Sequence, residues 1–244
     1  MLRLHVNVDH VATLRNARGT PYPDPLLAAR ACLAAGAHGI TAHLREDRRH
    51  VRDDDLARLR HELPSGTLLN MECAATDEMV AIAKRLAPQV VTLVPERREE
   101  RTTEGGLDVL GGGTRLAGHV RALLDANIKV SLFIAPDGAV VRASRDLGVQ
   151  QVELHTGEYA HAAAPADVER ELCRLRDAAA LGHGSGLEIA AGHGLTRDNV
   201  PALLAIPELV ELNIGHAMIA DALFLSLAGS VRAMLAVIAS ARPS

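Results

Sequence analysis

Lysine and cysteine are both scarce in this chain, and each shortage argues against a class of chemistry. Lysine occurs only at Lys84, in an Ala/Leu/Arg-rich stretch of helical spacing, and at Lys129, at the opening of a β-branched run. An enzyme amine that forms a Schiff base must stand inside the site. Any imine chemistry here therefore takes its amine from a substrate. Cys32, Cys73 and Cys173 are odd in number, widely spaced and set in apolar segments. That usage argues against a disulfide framework or a zinc cluster and predicts reduced, buried thiols. Nor is there a large charge of either sign: 26 Lys+Arg face 30 Asp+Glu, a net charge of −4. No general attraction to nucleic acid or to an anionic membrane follows, and a small ligand is expected.

Other patterns are missing too. No GxGxxG follows the first apolar run, which disfavours a dinucleotide fold, and no HExxH or HxH pair is present, which disfavours a metal centre. Three histidines and several carboxylates keep zinc open as a rival reading. The N-terminus has no basic segment leading into an apolar stretch, so a cytoplasmic location is expected. Asp221, Gly229 and Arg232 interrupt the most apolar tract, residues 217–241, which reads as a terminal core helix rather than a membrane span.

What the chain does have is alternation. Short β-branched runs at 2–8, 39–44, 67–72, 89–94, 128–134, 151–154, 187–191 and 209–214 are separated by helical patterns at 25–35, 54–63, 77–86, 114–126, 138–147, 166–181 and 197–205, with another at 217–239. Asp24 before Pro25 and Thr76 before Asp77 predict helix starts, and Gly36 predicts a stop. Strands joined by helical crossovers are parallel, and eight of them close most readily into a single α/β domain, a (β/α)8 TIM barrel over 1–244; an open doubly wound sheet is the alternative.

Polar residues collect where these strands end: Asn7, Asp9 and His10; His43 and Arg45; Glu72; Glu96; Glu153 and His155; His193; Asn213 and His216. Ligands of parallel α/β folds bind at carboxyl ends of strands. Charge is expected to be excluded from strand interiors, and the amino ends, with Arg3, His38, Lys129 and the glycine turn at 182–186, read as solvated linkage. Gly192-His193-Gly194 and Gly215-His216 have the form of phosphate cradles, in which glycine permits close backbone approach and a helix N-terminus offers N–H donors. Arg18, Arg45 and His50 form a candidate second anionic clamp, whereas Arg48 and Arg49 read as solvated. His43, Glu72 and His193 are expected to converge as proton donors and acceptors. A phosphosugar isomerase or lyase, or a nonenzymatic sugar-phosphate binder, would use the same cradles.

Long blocks of the chain resemble one family. Residues 7–20 (Asn7-Val8-Asp9-His10 through Arg18-Gly19-Thr20), 43–50, Leu93-Val94-Pro95-Glu96, 102–109, Glu153-Leu154-His155-Thr156-Gly157, 191–196 and 211–217 closely resemble the pyridoxine 5′-phosphate synthases, in order and over nearly the whole chain. The resemblance implies a cytosolic barrel with extra helical segments. Its implied reaction condenses 1-deoxy-D-xylulose 5-phosphate with 3-amino-2-oxopropyl phosphate to close a pyridine ring, with loss of phosphate and water and without a cofactor. By resemblance, His43 and Glu72 match proton acceptors, His193 the proton donor, and Glu153 a residue that stabilises a transition state. Asn7, Arg18, Gly194, Gly215 and His216 match contacts to the amino ketone phosphate. Asp9, His10, Arg45, His50 and Thr102 match contacts to the deoxyxylulose phosphate. The segment 63–69 carries extra residues relative to the family, and Cys73 is an unusual neighbour of Glu72, which is still expected to face inward. The resemblance also implies a homo-octamer, a tetramer of dimers, and makes the charged, glycine-rich connection 97–113 a lid.

Overall fold

The computed structural model describes residues 2–96 and 105–241. Eight strands, β1 (Arg3–Asn7), β2 (Gly39–His43), β3 (Leu68–Ala74), β4 (Val90–Val94), β5 (Lys129–Ile134), β6 (Gln151–His155), β7 (Glu188–Gly192) and β8 (Leu209–Ile214), pair in parallel in chain order. Pairing of β8 back onto β1 closes the barrel. Around it run α1 (Asp9–Asn16), α2 (Pro25–Ala34), α3 (Asp53–Glu62), α4 (Asp77–Leu86), α5 (Gly113–Asp125), α6 (Gly138–Asp146), α7 (Gly157–His161), α8 (Pro165–Gly184), α9 (Val200–Leu203), α10 (His216–Leu225) and α11 (Leu227–Ala241). This is the (β/α)8 TIM barrel that the alternation predicts, with the extra helices that the resemblance implies. The open sheet is set aside by the β1–β8 ladder.

Local signals work where expected. The Asp24 carboxylate accepts the Leu26 N–H with Pro25 opening α2, the Thr76 hydroxyl accepts the Met79 N–H, and Gly36 takes φ +107° after α2. Three helical features escape the periodicity. α1 follows β1 directly because the Asn7 side chain accepts the Asp9 N–H at 2.8 Å and turns the chain into the helix. α7 is a single short turn before α8. The terminal apolar helix is two helices, bent by 117° at Ser226. Ser226 has φ +62°, and its hydroxyl and carbonyl accept the Gly229 and Ser230 N–H groups, so it caps α11 instead of continuing α10. Helix α8 also runs on to Gly184, absorbing most of the supposed turn, and Cys173 is only half-buried. Among the described residues no single helix is long and apolar enough to cross a membrane.

The strands alternate, but not with solvent on one side. Leu4 and Val6, Ile40 and Ala42, Val130 and Leu132, Val152 and Leu154, and Leu212 and Ile214 point outward into the apolar layer under the helices. Full burial of such a side chain stabilises the fold by about 1.5–3 kcal/mol. The intervening residues fill the barrel, and many are polar: His5, Thr41, Asn70, Thr92, Ser131, Gln151, Glu153, Glu211 and Asn213 are all buried. Charge is thus not excluded from strand interiors. The period-2 pattern that hides Leu and Val outside leaves the inner face free for groups that hydrogen-bond one another. The amino end is likewise more than solvated linkage, since Arg3 bridges Glu188 at 2.7 Å and the buried Glu211 at 3.1 Å, and Lys129 joins Glu188 at 2.8 Å.

Candidate active site

Two groups of side chains form at the carboxyl end of the barrel. The first is built by β1, β2, β3 and β4. Register pairs His43 beside Glu72 across β2 and β3, and β3 continues to Ala74, so the residues before it do not shift Glu72 off the inner face. Asn7 reaches Glu72 at 3.5 Å, and His43 Nδ1 lies 4.0 Å from the same carboxylate oxygen, while Cys73 faces the apolar layer with no exposure. The other ring nitrogen, His43 Nε2, is 2.8 Å from Glu96, which also accepts the Glu46 N–H at 3.0 Å. Asp9 accepts the His43 backbone N–H at 2.8 Å, and the His50 ring lies 5.6 Å from that of His43.

Burial, then the negative charges of Glu153 and Asp9, push the Glu72 carboxyl well above the usual carboxylate range. Glu96 responds in the opposite direction. Burial alone would raise it, but the His43 ring and the Glu46 N–H hold it low. The site therefore sets a proton-holding carboxyl and an ionised one on two sides of one imidazole. Asp9, His43 and His50 also place one possible ligand atom each within 4.8 Å of one another, a spacing that a metal ion would fit. In this fold the Asp9 carboxylate and His43 Nε2 are already engaged, by the His43 N–H and by Glu96.

The second group is built by β6, β7 and β8. Asn213 donates to Glu153 at 2.8 Å and faces the Thr41 hydroxyl at 2.8 Å, which ties it to β2. Burial and the charge of Glu211 push Glu153 up to about 8 against the Asn213 hydrogen bond. A Cβ at Gly192 would come within 2.1 Å of a Glu153 oxygen, so the glycine is what lets this carboxyl lie against β7. Next in sequence, His193 adopts φ +85°, a left-handed conformation costing a non-glycine residue about 1 kcal/mol or more. Its ring lies 5.0 Å from that of His155. Burial and the neighbouring His193 and His161 push His155 down to about 4, so it is neutral near pH 7. These two imidazoles border a cavity of about 610 Å³ that reaches His161 and Arg170.

The residues expected to bind substrate are placed as follows. His10 and His216 bring their rings to 5.0 Å, and a Cβ on Gly215 would stand 3.1 Å from Asn7, so the turn into α10 closes on the end of β1. Gly194, at φ +78°, follows His193, and its carbonyl accepts from Asn199. Arg45 is buried and reaches Asp47 at 3.3 Å. Arg18 is exposed, just past the end of α1. Thr102 lies outside the described residues, as does most of the charged half of the 97–113 connection. Sequence reasoning missed a role for Glu96, although it stood among the strand-end residues. A carboxylate two residues past a strand beside a rim histidine is the signal that points to it. Asn213 was likewise seen without a task, and Glu211 stood only within the 211–217 block of family resemblance.

A closed parallel barrel whose carboxyl rim carries paired carboxylates and imidazoles with shifted proton affinities belongs to the class of TIM-barrel acid–base enzymes. The chain is a member of the family described as "Pyridoxal phosphate biosynthesis protein PdxJ", whose model matches residues 4–240. It is 55% identical over 241 residues to the pyridoxine 5′-phosphate synthase of Thioalkalivibrio sulfidiphilus, covering 99% of this chain and 97% of that one. It is 54% identical to the Rhodospirillum rubrum synthase, covering 97% and 94%. Among solved structures, KGPDC from Streptococcus mutans matches with a TM-score of 0.67 at 14% identity, covering 98% of each chain. Phosphoribosyl anthranilate isomerase from Thermotoga maritima matches at 0.64 and 13%, covering 98% of this chain and all of that one. At that identity the likeness concerns the fold alone.

Proposed function

We infer that the chain catalyses the ring closure of the pyridoxine 5′-phosphate synthases, joining 1-deoxy-D-xylulose 5-phosphate to 3-amino-2-oxopropyl phosphate with release of phosphate and water. The observation that carries this reading is the set of opposed proton affinities on a rim whose family identity spans the whole barrel. With no enzyme lysine among the rim groups, the amine comes from the amino ketone. Its condensation with a ketone forms a C=N bond, and ring closure then needs protons removed from carbon and delivered to departing oxygen.

His43 and Glu72 are assigned the removals. Glu96 orients the ring by accepting from Nε2, which leaves Nδ1 free to take a proton on the Glu72 side. A carboxyl with raised proton affinity is the stronger base once its proton has left. His193 is assigned the delivery to departing oxygen, with Glu153 beside it as a neutral donor to developing charge. Asn7, Arg18, Gly194, Gly215 and His216 are assigned to the amino ketone phosphate, and Asp9, His10, Arg45, His50 and Thr102 to the deoxyxylulose phosphate. No cofactor is assigned. A cytoplasmic homo-octamer belongs to the same proposal, and the exposed Leu223 and Phe224 of α10 offer an apolar face for a second copy.

The test mixes both substrates with the protein and follows the pyridine chromophore and released phosphate, omitting each substrate in turn. Signal only with both present is expected, with a loss of at least about 100-fold in Glu72→Gln. Turnover of a single phosphorylated substrate would instead identify an isomerase or lyase, and substrate binding without turnover a binding module.

A further inference from the structure

Inside the barrel, below the rim, two buried carboxyl groups share one amide. Glu211 and Asn213 are alternate residues of β8 and both face inward, 3% and 6% exposed. The Asn213 NH2 group donates to Glu153 at 2.8 Å and, more loosely, to Glu211 at 3.4 Å. Both acceptors lie on one side of the amide, and the Thr41 hydroxyl lies 2.8 Å from its oxygen on the other, which fixes which way the amide points.

The two carboxyl groups are not equivalent. Glu211 has a cation, the Arg3 guanidinium at 3.1 Å, a second amide from Gln151 at 3.2 Å, and the His5 ring at 3.4 Å. Among the described residues Glu153 has the Asn213 amide and no cation. Two like charges held together in a water-poor interior cannot both persist cheaply, and the proton goes to the member without a counter-ion.

We propose that Glu211 is a positioning residue for the reaction, a fixed buried carboxylate that keeps the Glu153 carboxyl protonated and, through the shared Asn213 amide, aimed at the rim. Glu153 thereby acts as a hydrogen-bond donor where an ordinary glutamate would be an acceptor. Its raised proton affinity, with Glu211 the main charge behind it after burial, agrees. The other titratable groups around Glu153 are Glu72 on β3, His155 two residues along β6, and His193 after Gly192, with Arg3 and His5 acting from β1 through Glu211. None of these supplies Glu153 with the paired cation that Arg3 gives Glu211. The inference rests on the reading that places Glu153 in the reaction.

Glu211→Gln tests it, because the substitution keeps shape and amide contacts and leaves Arg3 its partner Glu188. Two readouts are taken. Infrared difference titration, with the Glu153 band assigned by its loss in Glu153→Gln, reports the carboxyl directly and needs no turnover. The pH profile of kcat/KM reports it in the free enzyme. In wild type the protonated Glu153 band persists at neutral pH. In Glu211→Gln the band and the alkaline limb of the profile move together toward acid by about one pH unit or more, with both KM values within about twofold of wild type, and Glu211→Asp restores the wild-type profile. A folded Glu211→Gln protein with an unmoved band overturns the proposal. So does a wild-type Glu153 band that titrates in the ordinary carboxyl range, a result independent of whether any variant folds. If the protein makes no pyridine product, the functional reading fails while the infrared titration still decides this one.

Discussion

Asp55→Asn is expected to loosen the first substrate group from beneath. Arg15 on α1 and Asp55 on α3 are each 6% exposed and form a bidentate pair, with distances of 2.5 and 2.8 Å. Arg15 also donates to the His50 carbonyl at 3.2 Å, and Asp55 accepts the Arg52 N–H at 2.9 Å. One ion pair therefore fastens α1, which opens with Asp9 and His10, to the segment carrying His50. Removing one charge of a buried pair costs about 3–5 kcal/mol, because the other is left uncompensated. Asparagine keeps an oxygen for the Arg52 N–H, so the loss comes from the pair and not from the cap. At about 2–4 °C per kcal/mol for a chain of this size, the melting temperature falls on the order of 10 °C. Denaturant unfolding measures the cost. Arg15→Met combined with Asp55→Asn should recover part of it, since no orphan charge remains. Steady-state kinetics should show KM for the deoxyxylulose phosphate rising more than kcat falls. Unfolding free energy within about 0.5 kcal/mol of wild type for Asp55→Asn alone would refute the reasoning.

Two further outcomes follow from the second group. Because the folded protein holds the Glu153 proton up to about 8 against an ordinary 4.5, the folded state binds protons that the unfolded chain releases, and stability falls as pH rises through that window. Glu153→Gln lacks this loss, so its unfolding free energy should gain on wild type by a few kcal/mol between pH 5 and pH 8.5, since each pH unit separating the folded and unfolded proton affinities is worth about 1.36 kcal/mol; the same difference from wild type at both pH values would contradict it. In Gly157→Ala the new Cβ would stand 2.5 Å from His155 Nε2 and 3.1 Å from His193 Cδ2, so both rings must move. Displacement of about 1 Å at reacting groups costs about 100-fold, and unchanged kcat/KM in a folded Gly157→Ala would show that the imidazole pair has no part in turnover.

The legibility of this molecule followed the range of its interactions. Strands and most helices were readable because their signals are local: apolar period, Asp24 and Thr76 caps, Gly36 beyond α2. The break at Ser226 was readable in principle from a serine three residues before a glycine N–H, but the mainly apolar residues on both sides concealed it. In the site, family resemblance supplied His43, Glu72, Glu153 and His193, while the partners that set their protons were harder to find. Glu96 stands 53 residues from His43, and Asn213 stands 60 from Glu153.

What the sequence determined by itself was the repeat of eight parallel strands with helical crossovers and the strand ends on which polar residues gather, since each depends on spacing along one segment, whereas closure came from the pairing of β8 with β1. Only the tertiary structure decided which carboxyl groups hold protons. Arg3 meets Glu211 across 208 positions because β8 closes on β1. Proton affinity depends on burial and on charges a few ångströms away in space, and the closed barrel, not the order of residues, chooses those neighbours.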